Sequence, residues 1–469
     1  MRKKKNIILE KVLVENYAAG GKSILRHSGK AVFVENVVPG DVVDVRLTRS
    51  KKDWAEGYPL HFHSYSEDRV PPFCQHFGVC GGCQWQMLPY EKQLQYKARQ
   101  VFDNLSRIGK VALPEFLPII GSDLDKFYRN KLEYTFSTKE FLPDGSFDRN
   151  DRSLSEREVL GFHAKGFFDK VVNIEKCWLQ PEPTNALRNA VRRFALENKF
   201  SFYDYREHRG LLRNLQLRIC TTGEVMVNVV FGNDDEKKRQ QLLQFIDKSF
   251  PELTTIVYTI NTKKNDSIFD LTPVTYKGPG YVIEQLESFR FKIGPKSFFQ
   301  TNTAQAEKLY QVTRNFAELT GKEVVYDLYC GTGSIGIFCS AGASKIVGVE
   351  AIDEAVKDAG ENAALNKIDH ASFFSGDVVD VCTDDFIRQQ GAPGVVITDP
   401  PRAGMHEKLV KKILEMEAPT VVYVSCNPAT QARDLALLDD KYAVTEVQPV
   451  DMFPHTHHIE NVVQLKLKR

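Results

Sequence analysis

The chain has 469 residues, with 62 Lys and Arg against 61 Asp and Glu, and its side chains are 42% hydrophobic and 26% charged. That length allows two to four domains with cores of their own, and the composition excludes a disordered or fibrous chain. A net charge of +1 excludes a globally basic nucleic-acid coat, so a polyanionic partner has to be met by local basic patches. The basic start, Met1 to Lys5, has the charge of a signal n-region, but Glu10 and Lys11 arrive too soon for an apolar h-region. No run approaches the ~18 apolar residues of a membrane span. The chain is therefore expected to be cytoplasmic, to avoid membranes and to act as a monomer. Its nine cysteines are expected to be free, metal-bound or catalytic.

Residues 1–65 read as a small β unit. Short β-branched runs, Ile7 to Val12, Ala31 to Val34 and Asp41 to Val45, alternate with the turn dipeptides Gly20-Gly21, Ser28-Gly29 and Pro39-Gly40. Such spacing predicts a small barrel. Arg46, Arg49, Lys51 and Lys52 lie close together and read equally as a solvated edge or as a phosphate-contacting face.

Residues 66–290 form the expected central domain. Cys74, Cys80 and Cys83, with a distant Cys177, supply four thiols. By spacing alone they suit a structural zinc or an iron–sulfur cluster. Residues 91–110 have a helical apolar period, and 91–126 are a candidate to join the last domain. Beyond 127, strands and helices mix, and Arg129, Lys131, Arg206, His208, Arg209 and Arg213 stand among aromatics in a pattern suited to an unstacked RNA loop.

From 291 to 469 the rhythm becomes strand, Gly or Pro turn, helix, which predicts α/β units on a parallel sheet. The run Val324 to Tyr329 ends in Cys330-Gly331-Thr332-Gly333-Ser334-Ile335-Gly336, a glycine loop leading into a helix. The next strands end in Glu350, in Asp377, in Asp399-Pro400-Pro401-Arg402 and in Ser425-Cys426-Asn427-Pro428. The carboxyl edge of such a sheet is where ligands bind. Any one acid there also suits a helix cap, and for Asp377 the two readings are balanced. Cys220, Cys330, Cys339 and Cys382 have apolar neighbours and read as packing residues.

Taken as an ordered set, Asp327 to Gly333, Asp399 to Arg402, Ser425 to Pro428, Phe298 to Asn302 and His455 to Glu460 resemble the RNA 5-methyluridine methyltransferases. The resemblance runs over the whole chain. It implies a Rossmann-like class I methyltransferase domain after a TRAM-type RNA-binding barrel and a mixed α+β central domain. It also implies S-adenosyl-L-methionine as methyl donor. By position, Cys426 matches the family nucleophile and Glu460 its base, while Gln300, Tyr329, Glu350, Asp399 and Asp377 match or adjoin its cofactor contacts. Cys74, Cys80, Cys83 and Cys177 match the ligands of a 4Fe-4S cluster in one branch. Barrel and cluster together point to large-subunit (23S) ribosomal RNA as partner. The alternatives are a transfer-RNA enzyme of the same family, or a non-uracil methyltransferase that shares the Asp-Pro-Pro turn. The uracil chemistry needs an activated thiol and a base. Glu460 stands in an apolar run, which predicts burial and a raised pKa.

Overall fold

A computed structural model describes residues 7–142 and 157–468. The basic run Met1 to Lys5 lies outside the described residues. Among the described residues no helix is long and apolar enough to cross a membrane.

Residues 8–64 form a curled six-stranded sheet. Its β-branched runs turn alternate side chains inward, so Val14, Leu25, Val32, Val34, Val43, Val45 and Ala55 make a small core. In the basic stretch, Arg49 stacks over the Trp54 ring, 5.0 Å from its centroid.

The central seven-stranded sheet runs, edge to edge, Val274–Lys277, Thr255–Ile260, Val225–Phe231, Leu212–Ile219, Lys131–Ser137, Val159–His163 and Val171–Asn173. Helices Thr184–Glu197 and Glu236–Ser249 bury Leu187, Val191, Leu242 and Ile246 in its core. A hairpin, Val282–Leu286 with Phe289–Ile293, packs instead into the core of the last sheet.

That last sheet has the order Ala371–Ser375, Lys345–Glu350, Val324–Leu328, Val395–Thr398, Thr420–Ser425, Glu460–Leu467, Tyr442–Val450. The first five strands are parallel, and Glu460–Leu467 inserts antiparallel between its neighbours. Helices cover both faces. Strand order reverses between Val324–Leu328 and Val395–Thr398, which opens a crevice at their carboxyl ends.

The helix Tyr90–Asn104 crosses between units. Val101 and Leu105 join the core beneath Pro428–Leu438. Its polar face grips the loop ahead of Glu460. Lys97 Nζ lies 2.6 Å from Asp451 Oδ1, and both side chains are fully buried. Tyr90 Oη donates to Asp451 Oδ2 at 2.8 Å, and Gln93 Oε1 accepts from the His455 amide at 2.8 Å.

Candidate functional site

A single cavity of about 1910 Å³ runs along the carboxyl edge of the last sheet toward the central sheet. It is lined by Gln300, Tyr329, Glu350, Asp399, Cys426 and Glu460 at one end and by Cys74, Cys80, Cys83 and Cys177 at the other. Asp377 is exposed and is not among the lining residues. Its Oδ1 accepts from the Val379 amide at 2.9 Å, capping the short helix Val378–Val381.

The glycine loop turns sharply. Tyr329 has φ +63° and Gly331 φ +53°, so the chain leaves the sheet through left-handed backbone. At Gly333, φ +76°, a Cβ would come 3.0 Å from the Ala359 Cβ, so the helix Asp353–Leu365 fits against glycine alone. Glu350 braces the loop. One carboxylate oxygen accepts from the Gly331 amide at 3.2 Å and the other from the Ile352 amide at 3.0 Å. Asp327 is buried, accepts from the Gly336 amide at 2.8 Å, and is pushed up to about 7 by burial and by its acidic neighbours Asp399 and Glu350.

Cys426 and Glu460 meet through strand register. Ser425 is the last residue of its strand and lies opposite Asn461, so the next residue outward on each strand is Cys426 and Glu460. An amide pair fixes this end: Gln431 Nε2 donates to the Tyr423 and Asn461 carbonyls, and Asn461 Nδ2 returns a bond to Gln431 Oε1 at 2.8 Å. Asn427 caps the following helix through the Ala429 amide, while its Nδ2 donates to the Arg402 carbonyl at 2.9 Å. The two motif loops are thus laced together.

The electrostatics follow from burial. Glu460 is 6% exposed. Desolvation, then repulsion from Asp399, raises its pKa far above the carboxylate range, while Arg402 opposes this. Burial pushes Asp399 up to about 7. The Cys426 thiol is pushed up to about 11, by burial first and then by Glu460 and Asp399, again opposed by Arg402. The pocket therefore holds two carboxyl groups that retain protons near neutrality, beside a thiol. When one of them gives up its proton it becomes a base within the same cavity.

At the other end, Cys80 and Cys83 are each pushed up to about 12, by burial and then by the neighbouring thiols of the same set. Cys74 and Cys177 are raised mainly by burial. The Gly82 amide donates to Cys80 Sγ at 3.5 Å. Among the described residues no three His, Cys, Asp or Glu side chains gather around one point as a single metal ion requires.

The remaining expected packing cysteines, Cys220, Cys330, Cys339 and Cys382, are buried. One expected RNA contact is corrected. Arg213 is fully buried, donating from Nε to Asp266 and from Nη1 to the Asn261 carbonyl, so it braces the central sheet. The sequence reading missed the roles of Tyr310, whose hydroxyl bonds Ser334 Oγ at 2.9 Å, and of His458, 3.3 Å from Arg402. His458 lies within the His455 to Glu460 motif, while nothing in the sequence marks Tyr310.

The tRNA (Uracil-5-)-methyltransferase family matches residues 279–468. An uncharacterized RNA methyltransferase of Bacteroides thetaiotaomicron is 54% identical over 454 residues, covering 96% of this chain and 100% of its own. The chain belongs to the RNA (uracil-5-)-methyltransferase family. It is an RNA methyltransferase of the class I, S-adenosylmethionine-dependent fold. An uncharacterized RNA methyltransferase of Porphyromonas gingivalis is 47% identical over 458 residues, covering 96% of this chain and 98% of its own. Among solved structures, the Pyrococcus abyssi tRNA (uracil-54, C5)-methyltransferase in complex with S-adenosyl-L-homocysteine has a TM-score of 0.74 and 27% identity. It covers 97% of this methyltransferase and 100% of its own chain.

Proposed function

We propose that this methyltransferase modifies C5 of a uridine in large-subunit ribosomal RNA through a covalent Cys426 adduct. The observation that carries the chemistry is the meeting of Cys426 and Glu460 across paired strands, with Asp399 beside them. In this reading one carboxyl of the Asp399–Glu460 pair is ionised and takes the Cys426 thiol proton, which passes on to solvent before the last step, while the sulfur bonds to uracil C6. The electron pair moves to C5. When bound, S-adenosylmethionine supplies the methyl group, and Gln300, Tyr329 and Glu350 hold it against the glycine loop. Glu460 then takes the C5 proton, the C5–C6 double bond re-forms and the Cys426 sulfur departs. Asp399 orients the uracil edge. The target base must leave its stack to reach the thiol. A nitrogen methyltransferase with the same Asp-Pro-Pro turn would have no use for Cys426.

In the same reading, Cys74, Cys80, Cys83 and Cys177 hold a 4Fe-4S cluster. Four thiols that act on one another through space, with the Gly82 amide donating to Cys80 Sγ, fit that group. Methyl transfer from a sulfonium needs no electrons, so the cluster's use is structural or in docking RNA. The chain divides into an RNA-binding barrel, a central unit and the methyltransferase unit, with the 282–293 hairpin grouped in the last because it shares that core.

The barrel and thiol set taken together support ribosomal RNA as the first reading. A transfer-RNA substrate is the second reading, favoured by the whole-length likeness to the Pyrococcus enzyme. The test is to map 5-methyluridine in ribosomal and transfer RNA from cells lacking this protein. Loss of one large-subunit site supports the first reading, loss at a transfer-RNA position the second. Loss of neither overturns both.

A further inference from the structure

The strand Lys131–Ser137 pairs antiparallel with Leu212–Ile219, and the register sets Lys131 directly opposite Arg218. Like charges at facing positions destabilise a sheet. Among the described residues no carboxylate is bonded to either. Among the described residues the Lys131 ammonium has no hydrogen bond or ion pair. Arg218 is 3% exposed, and its Nε has no hydrogen-bond partner. Its terminal nitrogens reach Asn130 Oδ1 and the Ser297 carbonyl only at 3.4 Å. Two acids act on the pair through space alone. Glu133 is exposed, two residues from Lys131, and Glu284 is engaged by Thr221 and Thr303. Burial and the facing guanidinium lower the Lys131 pKa.

Arg129 adds a third cation. Its Nε donates to the Lys131 carbonyl at 2.9 Å, and its guanidinium lies 5.8 Å from the Phe453 ring centroid. All three side chains line the cavity that holds Cys426 and Glu460. Gathering unpaired cations in a sheltered place costs stability unless an anion joins them.

We propose that Arg129, Lys131 and Arg218 form a binding site for a backbone phosphate of the RNA substrate, next to the target uridine. The proposal rests on the RNA-methyltransferase reading and deepens it. A phosphodiester offers two charged oxygens, which suits a planar guanidinium and a mobile ammonium together. Phe453 lies on the loop leading to Glu460, while the Arg129 amide donates to the Leu179 carbonyl, so Arg129 stands between that loop and the Cys177 segment. A phosphate held here fixes the backbone while the base turns toward Cys426. The other anion able to enter the cavity is the carboxylate of the methyl donor, and the experiment separates the two.

Because Arg218 is buried, the decisive variant is Lys131→Gln. Affinity for a large-subunit ribosomal RNA transcript is measured over a range of KCl concentrations. The slope of log affinity against log salt should become shallower by roughly 0.7–0.9, the share of one phosphate contact. Lys131→Arg should keep the original slope. S-adenosylmethionine affinity should stay within about two-fold, because the site meets phosphate and not the donor's carboxylate. The melting temperature of the free protein should be unchanged or higher, since a repulsion has been removed. An unchanged slope and RNA affinity would overturn the proposal. So would weakened cofactor binding at unchanged slope, which assigns the cations to the carboxylate, or a lowered melting temperature at unchanged slope, which makes Lys131 a structural residue. These readouts do not require turnover, so absence of 5-methyluridine in the product would count against the uracil reading and not against this site.

Discussion

The pair Asp399 and Glu460 sets what the Cys426 thiol can do. Two carboxyl groups in one buried pocket cannot both ionise cheaply, so the pair retains at least one proton. A protonated Glu460 no longer repels the sulfur, which eases loss of the thiol proton. Arg402 acts in the same direction on both groups. If Glu460 is the base, its loss should block the step after methyl transfer and spare the attack. Glu460→Gln should therefore accumulate a methylated protein–RNA adduct, seen as a slow band on a denaturing gel with ordinary uridine substrate. Turnover at the wild-type rate would make Glu460 a structural acid. Cys426→Ala should show no band and no turnover, while S-adenosylmethionine affinity stays within a few-fold. Asp399 carries a pH signature. Its folded pKa, about 7, lies above the ordinary aspartate range, so the native state binds its proton more tightly than the unfolded chain. Stability is therefore fullest below the aspartate range and falls as pH rises through about 7. Asp399→Asn should raise the melting temperature at pH 8 and change it little near pH 4, as calorimetry can check. An equal effect at both pH values would show that the carboxyl does not titrate this way.

At the scale of elements, the loop 451–459 is held from outside its own sheet. Lys97 and Asp451 form a fully buried ion pair, with Tyr90 and the Phe453 amide completing the carboxylate's bonds. Breaking a buried pair from one side strands the other charge, at a cost of ~3–5 kcal/mol. Lys97→Met should lower the urea midpoint accordingly, and should slow methylation by loosening the loop before Glu460. A midpoint within error of wild type would mean that water reaches Asp451. None of this network is legible in the sequence, because its partners lie far apart along the chain and a helical Lys normally reads as a solvated face. By contrast the positions of Glu350, Asp399 and Cys426 could be read, because each closes a β-branched run, the last two at a Pro turn, and such ends share one edge of a parallel sheet. Asp377 closes a run in the same way, yet its carboxylate is spent on a helix cap, and both outcomes have one local pattern. The meeting of Cys426 with Glu460 needed strand order as well. Periodicity does not say that Glu460–Leu467 inserts antiparallel beside Thr420–Ser425. The repulsive Lys131–Arg218 pair likewise exists only in the register.

Over the whole molecule, the thiol set is divided between a loop near the barrel and a segment beside the central sheet. Cys74, Cys80 and Cys83 sit on an irregular segment that rests on that sheet: the Gly81 amide donates to the His163 carbonyl at 3.1 Å, and the Glu175 amide to His76 Nε2 at 3.1 Å. Cys177 is fixed separately by Asn185, which accepts from its amide at 2.7 Å and donates to its carbonyl at 3.2 Å. The two segments that carry the four cysteines are therefore each held by protein contacts. Their thiols hold protons at neutral pH, so loading iron must displace those protons, and loading should weaken as pH falls. Anaerobically purified protein should be brown, with iron and acid-labile sulfide each near about four per chain. If all four ligate one cluster, Cys177→Ser should lower cluster content as much as Cys80→Ser does, although Cys177 lies on a different segment. Both variants should stay folded, because the helix and sheet contacts around them do not depend on sulfur. Circular dichroism would check the fold, and iron analysis with visible absorption would check the cluster. Zinc in place of iron, with no visible charge-transfer band, would defeat the assignment. Iron lost on Cys80→Ser but retained in full on Cys177→Ser would remove Cys177 from the ligand set and leave the loop with a different fourth ligand.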